Sequence, residues 1–312
     1  MRGIHGGTSL EAAAAMNDLG IALVGAGKLA EAKATGGMME KIATSRGAAA
    51  KPEAGRPDAA KVEEDAFNVL YQVAFAEEDF ATALAATKKR LALAKKRLGD
   101  RHPEVAQALS DVALGQMYTG DLAGAERSYL EVLDMNIALL GEEHPEVATT
   151  RENLGNVYFR LGQLDKTAKN LEVVLAMRRK ALGDDSEPVA RTLANMGTVY
   201  LRAKNYEASV KTYREAVERL SKKHGPDHLD VATTIAGLGR SLGKLGNYPE
   251  SEAALKRALE IQVKALGEGN AAPQRTIKAL VDLYTEWKKP AQAAAYTARL
   301  KPEAKAPAAV TK

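Results

Sequence analysis

The chain of 312 residues is 46% hydrophobic and 27% charged, with 44 Lys and Arg against 40 Asp and Glu, a net charge of +4. That surplus falls short of a nucleic-acid footprint, and the lack of Cys removes disulfides, thiolate chemistry and cysteine-ligated zinc. No apolar run is long enough for a membrane-spanning helix, and 5% aromatics beside abundant Ala and Leu favour packed helices over sheets.

At the start, Met1-Arg2-Gly3-Ile4-His5-Gly6-Gly7 has one basic residue but no apolar core behind it, so a cytoplasmic setting is expected. Thr8-Ser9-Leu10-Glu11 reads as a capping box opening a helix. Residues 8–44 form a degenerate first helix pair, loosely docked, with Met16 to Leu23 and Gly27 to Ala32 carrying its pattern. Residues 45–60 read as a flexible loop, rich in Ala, Gly and Pro.

From 61 to 300 the chain repeats every 42 residues. Leu98-Gly99-Asp100-Arg101-His102-Pro103-Glu104-Val105-Ala106 returns as Leu140-Gly141-Glu142-Glu143-His144-Pro145-Glu146-Val147-Ala148. It returns again at Leu182 and His224 and, fading, at Leu266. Such a period means stacked supersecondary units that contact mainly their neighbours. Six units begin near 61, 104, 146, 188, 230 and 271. Breaks at Glu78-Asp79, Gly120-Asp121, Gly162-Gln163, Lys204-Asn205, Gly246-Asn247 and Lys288-Lys289-Pro290 divide each into two helices. So short a turn makes the two antiparallel.

In the clearest unit, Val147, Thr150, Leu154, Val157, Tyr158 and Leu161 form one apolar stripe. Ala168, Leu171, Val174, Leu175 and Leu182 form the next. Gly155, Gly197 and Gly239 recur inside first helices, where Gly costs roughly 1 kcal/mol against Ala, so the second helix should cross close by. Tyr158, Tyr200 and Tyr284 read as core wedges. A helix from Ala291 to Leu300 closes the stack, and 301–312 reads as a disordered tail.

These motifs resemble the tetratricopeptide repeat, more narrowly its 42-residue kinesin-light-chain type. His144-Pro145-Glu146-Val147-Ala148-Thr149-Thr150 with Asn153-Leu154-Gly155 and Tyr158 carries the likeness, as does Val189 to Gly197 with Tyr200. Leu280 to Pro290 also resembles the last repeat in tails of bacterial serine/threonine kinases, although the chain has no kinase motif. The resemblance implies an all-α, right-handed superhelical solenoid of antiparallel helix pairs, whose first helices line a concave, peptide-binding side. Asp111, Gly237 and Ala279 depart from the Asn found at 153 and 195, so the family's amide ladder is incomplete.

On that geometry one inward column reads Tyr118, Arg160, Arg202, Lys244, Glu286, another Leu114, Asn156, Thr198, Arg240, Asp282, and a third Gln107, Thr149, Arg191, Thr233, Arg275. Arg160, Arg191, Arg202, Arg240 and Lys244, with few acids facing them, favour an acidic peptide. Asn153, Asn156 and Asn195 suit its main chain, since an amide both donates and accepts. The expected function is a non-catalytic scaffold for protein partners. A structural or self-associating module, as the regulatory part of a larger signalling protein, and a single-stranded RNA binder are the alternatives. Scarce aromatics disfavour the last.

Neither metal, cofactor nor catalysis is expected. His102 and His144 precede Pro in successive linkers, and His224 and His228 are separated by Gly225 and Pro226. The carboxylates at 142, 143, 184 and 185 lie in solvated linkers. Seven helix pairs should be stable as a monomer, with Trp287 and Tyr296 serving either as closing core or as a dimer contact.

Overall fold

A computed structural model describes residues 9–47 and 58–301. Among them are fourteen helices and no strand: α1 (Leu10–Gly25), α2 (Leu29–Gly47), α3 (Ala59–Ala76), α4 (Phe80–Leu98), α5 (Pro103–Tyr118), α6 (Leu122–Leu140) and α7 (Pro145–Arg160), then α8 (Leu164–Leu182), α9 (Glu187–Arg202), α10 (Tyr206–His224), α11 (Leu229–Lys244), α12 (Tyr248–Leu266), α13 (Ala271–Glu286) and α14 (Pro290–Thr297). Helix therefore takes both ends of the stretch read as a loop, 45–47 and 59–60. The rest of that loop, Thr8 and the tail beyond Lys301 lie outside the described residues.

The helices fall into two compact units, 1–163 and 164–312. In the first, α1 packs on α2, α3 on α4 and α5 on α6, with α2, α4 and α6 each meeting the first helix of the next pair. In the second, α9, α11 and α13 pair with α10, α12 and α14, while α8 packs on α9. Each unit is thus an α-solenoid of antiparallel pairs.

The period is visible in the backbone. Glu78, Gly120, Gly162, Lys204, Gly246 and Lys288 hold one place in the turn inside each pair, and all have positive φ, between 57° and 88°. At Glu78, Lys204 and Lys288 the left-handed conformation costs roughly 1 kcal/mol that Gly avoids. The next residue, Asp79, Asp121 or Asn205, caps the second helix by accepting from a backbone N–H three residues on.

Capping also explains the histidines. His102, His144 and His228 are N-caps whose Nδ1 accepts from the backbone N–H of Glu104, Glu146 and Asp230 at 3.1, 3.2 and 3.2 Å. Pro103 and Pro145 follow at the first helical position, where no amide proton is missed. Replacing His144 with Ala should cost about 1 kcal/mol, the usual loss for an N-cap acceptor, measurable as a lower urea midpoint. The cap of α1 is Ser9, whose Oγ accepts from the Ala12 N–H at 3.1 Å.

The first pair is firmly docked: Ala13, Met39, Ile42 and Ala43 are buried with Val62, Ala66 and Val69 of α3. Beside them Glu64, with 2% of its surface exposed, takes a bidentate contact from Arg97 at 2.9 and 3.0 Å. Arg97 also reaches Glu104 at 2.8 Å, which Lys61 holds from the other side at 3.1 Å. One guanidinium therefore ties α3 and α4 to the opening of α5.

The recurrent Gly has its reason in the second helix. A β-carbon at Gly197 would lie 2.8 Å from the Tyr213 ring of α10, and one at Gly239 would lie 2.7 Å from Leu255 of α12. Tyr158 and Tyr284 are buried, and Tyr200 is partly so. At the far end α14 stops at Thr297, short of the expected Leu300. Trp287, Tyr296 and Leu300 nonetheless pack on the cluster of Leu280, Leu283 and Tyr284. Tyr284 stacks with Trp287 at 6.3 Å and with Tyr296 at 5.6 Å. These rings belong to the closing core.

Candidate peptide-binding faces of the two units

In the first unit α5 and α7 carry Gln107, Asp111, Leu114 and Tyr118 above Thr149, Asn153, Asn156 and Arg160. Arg160 is not a loose cation: its Nη1 donates to the Met117 carbonyl at 2.9 Å and its guanidinium lies 5.3 Å from the Tyr118 ring. Asn156 is exposed, while Asn153 lines a cavity of about 400 Å³ bounded by α5, α6 and α7. Asp111, Tyr129 and Asn136 also line it.

That cavity has a mixed lining, apolar along Leu114, Val132 and Leu140, and its charged residues, Asp111 and Glu146, are acidic. Arg90 holds Asp111 at 2.5 Å and Gln107 donates to it at 3.2 Å, yet burial still pushes the Asp111 carboxyl above its ordinary range. Burial is the main cause that raises Tyr129 as well, with Asp111 adding to it. Asn136 donates to Thr150 at 3.1 Å in the floor.

In the second unit the expected basic face meets acids. Arg191 bridges Glu187 and Asp230, both at 2.8 Å. Its hydrogen bond to Glu187 raises the guanidinium, and the same bond lowers the Glu187 carboxyl. Lys244 is paired with Glu286, which holds its ammonium up. Arg240 and Lys244 line a small hollow of about 90 Å³ with Asp282 and Glu286. Arg202 and Asn195 are exposed. The expectation of few facing acids is thus corrected: Glu187, Asp230 and Glu286 lie against the cations, because residues one period apart on neighbouring first helices can touch.

His224 and His228 also come together more closely than their separation by Gly225 and Pro226 suggests. Their rings stack at 4.5 Å. His224 Nε2 lies 3.2 Å from Glu187 Oε2 without making a hydrogen bond. Glu187, His224 and Asp230 bring ligand-type atoms within 4.8 Å of one another, but Arg191 already spans both carboxylates. The arrangement is an ion-pair network between α9, α10 and α11.

Sequence columns restricted to first helices missed the contribution of second helices. Tyr129 and Tyr213 stand two periods apart, with Leu171 at the same place between them and Leu255 one period beyond Tyr213. At Tyr213 the hydroxyl is 2.7 Å from Thr198 Oγ1, and the ring fills the space where a β-carbon of Gly237 would lie 2.5 Å from Cζ. With Tyr213 placed as it is, an Asn at 237 would not fit unless the ring shifted.

The tetratricopeptide repeat model matches residues 111–180, 146–222 and 188–264, the last two windows starting one period apart. The chain is a tetratricopeptide-repeat protein. No match is found among curated proteins. Among solved structures, BtubC (BKLC) from P. vanneervenii is similar with 20% identity and a TM-score of 0.64, over 77% of this chain and 92% of that one. A Podosopora anserina protein described as a kinesin light chain with nearly identical TPR-like repeats is similar with 19% identity and a TM-score of 0.57, over 64% and 96%. NprR in complex with its cognate peptide NprX is similar with 14% identity and a TM-score of 0.58, over 94% and 77%. At such identities the tetratricopeptide fold is what these structures share with the chain. No described helix is long and apolar enough to cross a membrane.

Proposed function

We propose that this tetratricopeptide protein is a non-catalytic, cytoplasmic scaffold of the kinesin-light-chain type, binding an extended peptide segment of a protein partner on the exposed faces of its first helices. The observation that carries the reading is the cavity beside α5 and α7. There polar and apolar side chains of three helices surround a space of about 400 Å³. That volume lies in the range of ligand sites. NprR, similar in fold, is seen with a peptide.

An acidic guest belongs to the second unit in this reading. Arg202, exposed at the end of α9, and Arg240, exposed beside the small hollow of α11, are the anchors assigned to it. Asn153, Asn156 and Asn195 would meet the peptide main chain. Reversing Arg202 and Arg240 together to Glu should weaken binding of an Asp- and Glu-rich peptide pool by about tenfold or more, with helicity unchanged by circular dichroism. Equal affinity of the two proteins in a fluorescence-polarisation titration would remove both residues from the site.

A further inference from the structure

The cavity of the first unit has a chemistry of its own, opposite in sign to the guest read from the basic columns. Every charged side chain lining it is acidic: Asp111 inside and Glu146 at the exposed edge. Glu146 makes no ion pair with its carboxylate among the described residues. Asp111 has Arg90 beside it and accepts from Gln107, and burial raises its carboxyl above the ordinary range.

Tyr129 supplies the second observation. It is 1% exposed, it lines the cavity, and its hydroxyl makes no hydrogen bond among the described residues. Its counterpart Tyr213 is satisfied by Thr198, but the place of Thr198 is taken here by Leu114, which has nothing to offer a hydroxyl. A hydroxyl without a protein partner in a cavity wall marks where a polar guest would be accommodated.

We propose that this cavity receives a lysine or arginine side chain of the bound peptide. The assignment rests on the scaffold reading above and names the residue class that one of its sites selects. The methylene stem lies along Leu114 and Val132, while the cationic head meets Glu146 and Asp111. The Tyr129 hydroxyl and the Asn153 amide oxygen accept its remaining N–H groups, since a cationic head donates and never accepts. A carboxylate in the same place would face two acids.

The test uses the full chain and degenerate nonapeptide pools that differ only in a fixed central Lys, Leu or Glu. The Lys pool should bind about tenfold tighter than the Glu pool by fluorescence polarisation. Tyr129→Phe, which removes one hydroxyl, and Glu146→Gln, at the exposed edge, should each bring the Lys pool down towards the Leu pool with the circular dichroism unchanged. A Lys preference that survives both variants, or a Glu pool that binds as well as the Lys pool, overturns the cavity assignment and leaves peptide binding standing. Failure of every pool to bind overturns the scaffold reading too.

Discussion

Arg97→Met should lower the stability of the first unit by about 3 kcal/mol, the order expected when one partner of a buried ion pair is removed. The cost comes from Glu64, which stays 2% exposed with both oxygens previously engaged by the guanidinium. Met matches the length of the lost stem, so little of the effect is cavity. Glu104 suffers less, because Lys61 remains beside it and it is partly open to solvent. Because repeat stability is a sum over neighbours, the loss falls on the α3–α4–α5 junction. Hydrogen exchange should therefore quicken in α1 to α4 while α11 to α13 keep their protection. The double variant Glu64→Leu with Arg97→Met should recover most of the loss, since it removes the buried charge as well. A single variant with an unchanged urea midpoint would mean the pair is energetically idle.

The helix pairs were legible in the sequence because the determinants are local and repeated. His-Pro at a helix entry, a positive-φ residue in the tight turn and a small residue where the second helix crosses each leave a mark at the same place in every unit. The partners across layers were harder to see. Lys244 and Glu286 sit next to one another in a single column, and Arg160 and Tyr118 likewise, so a column read as charges adding up is in fact a column whose neighbours pair off. Helices in adjacent layers stand close enough for long side chains to meet, which a count of Lys and Arg does not include.

Thr150 offers a second case. It fits the apolar stripe by spacing, yet its hydroxyl donates to the Glu146 carbonyl at 2.7 Å and accepts from Asn136 of the previous pair. Thr192 meets Arg178 at 2.7 Å and Thr276 meets Gln262 at 2.7 Å in the same relation, fourteen residues upstream each time. The recurring Thr and the polar residue fourteen before it were a usable signal, carried by two different helices.

Gly237→Asn tests the steric account of the broken amide ladder. The substitution restores the residue type of Asn153 and Asn195, and by family pattern alone it should be harmless or helpful. The structure gives the opposite sign. A β-carbon there would lie 2.5 Å from Cζ and 2.7 Å from the hydroxyl of Tyr213, whose ring is buried and is also wedged against Gly197. Neither a rigid ring nor a helix backbone yields cheaply, so the variant should lose about 1–3 kcal/mol, the usual cost of overpacking. Helix propensity works the other way, because Gly is the poorer helix former by a few tenths of a kcal/mol, about 0.3. Overpacking therefore wins. Combining Gly237→Asn with Tyr213→Leu should restore part of the loss, since Leu171 and Leu255 already fill that place in the neighbouring pairs. The rescue is incomplete because Thr198 then loses the hydroxyl 2.7 Å away. A Gly237→Asn protein as stable as the parent in urea would show that Tyr213 moves freely, and the gap in the ladder would need another cause.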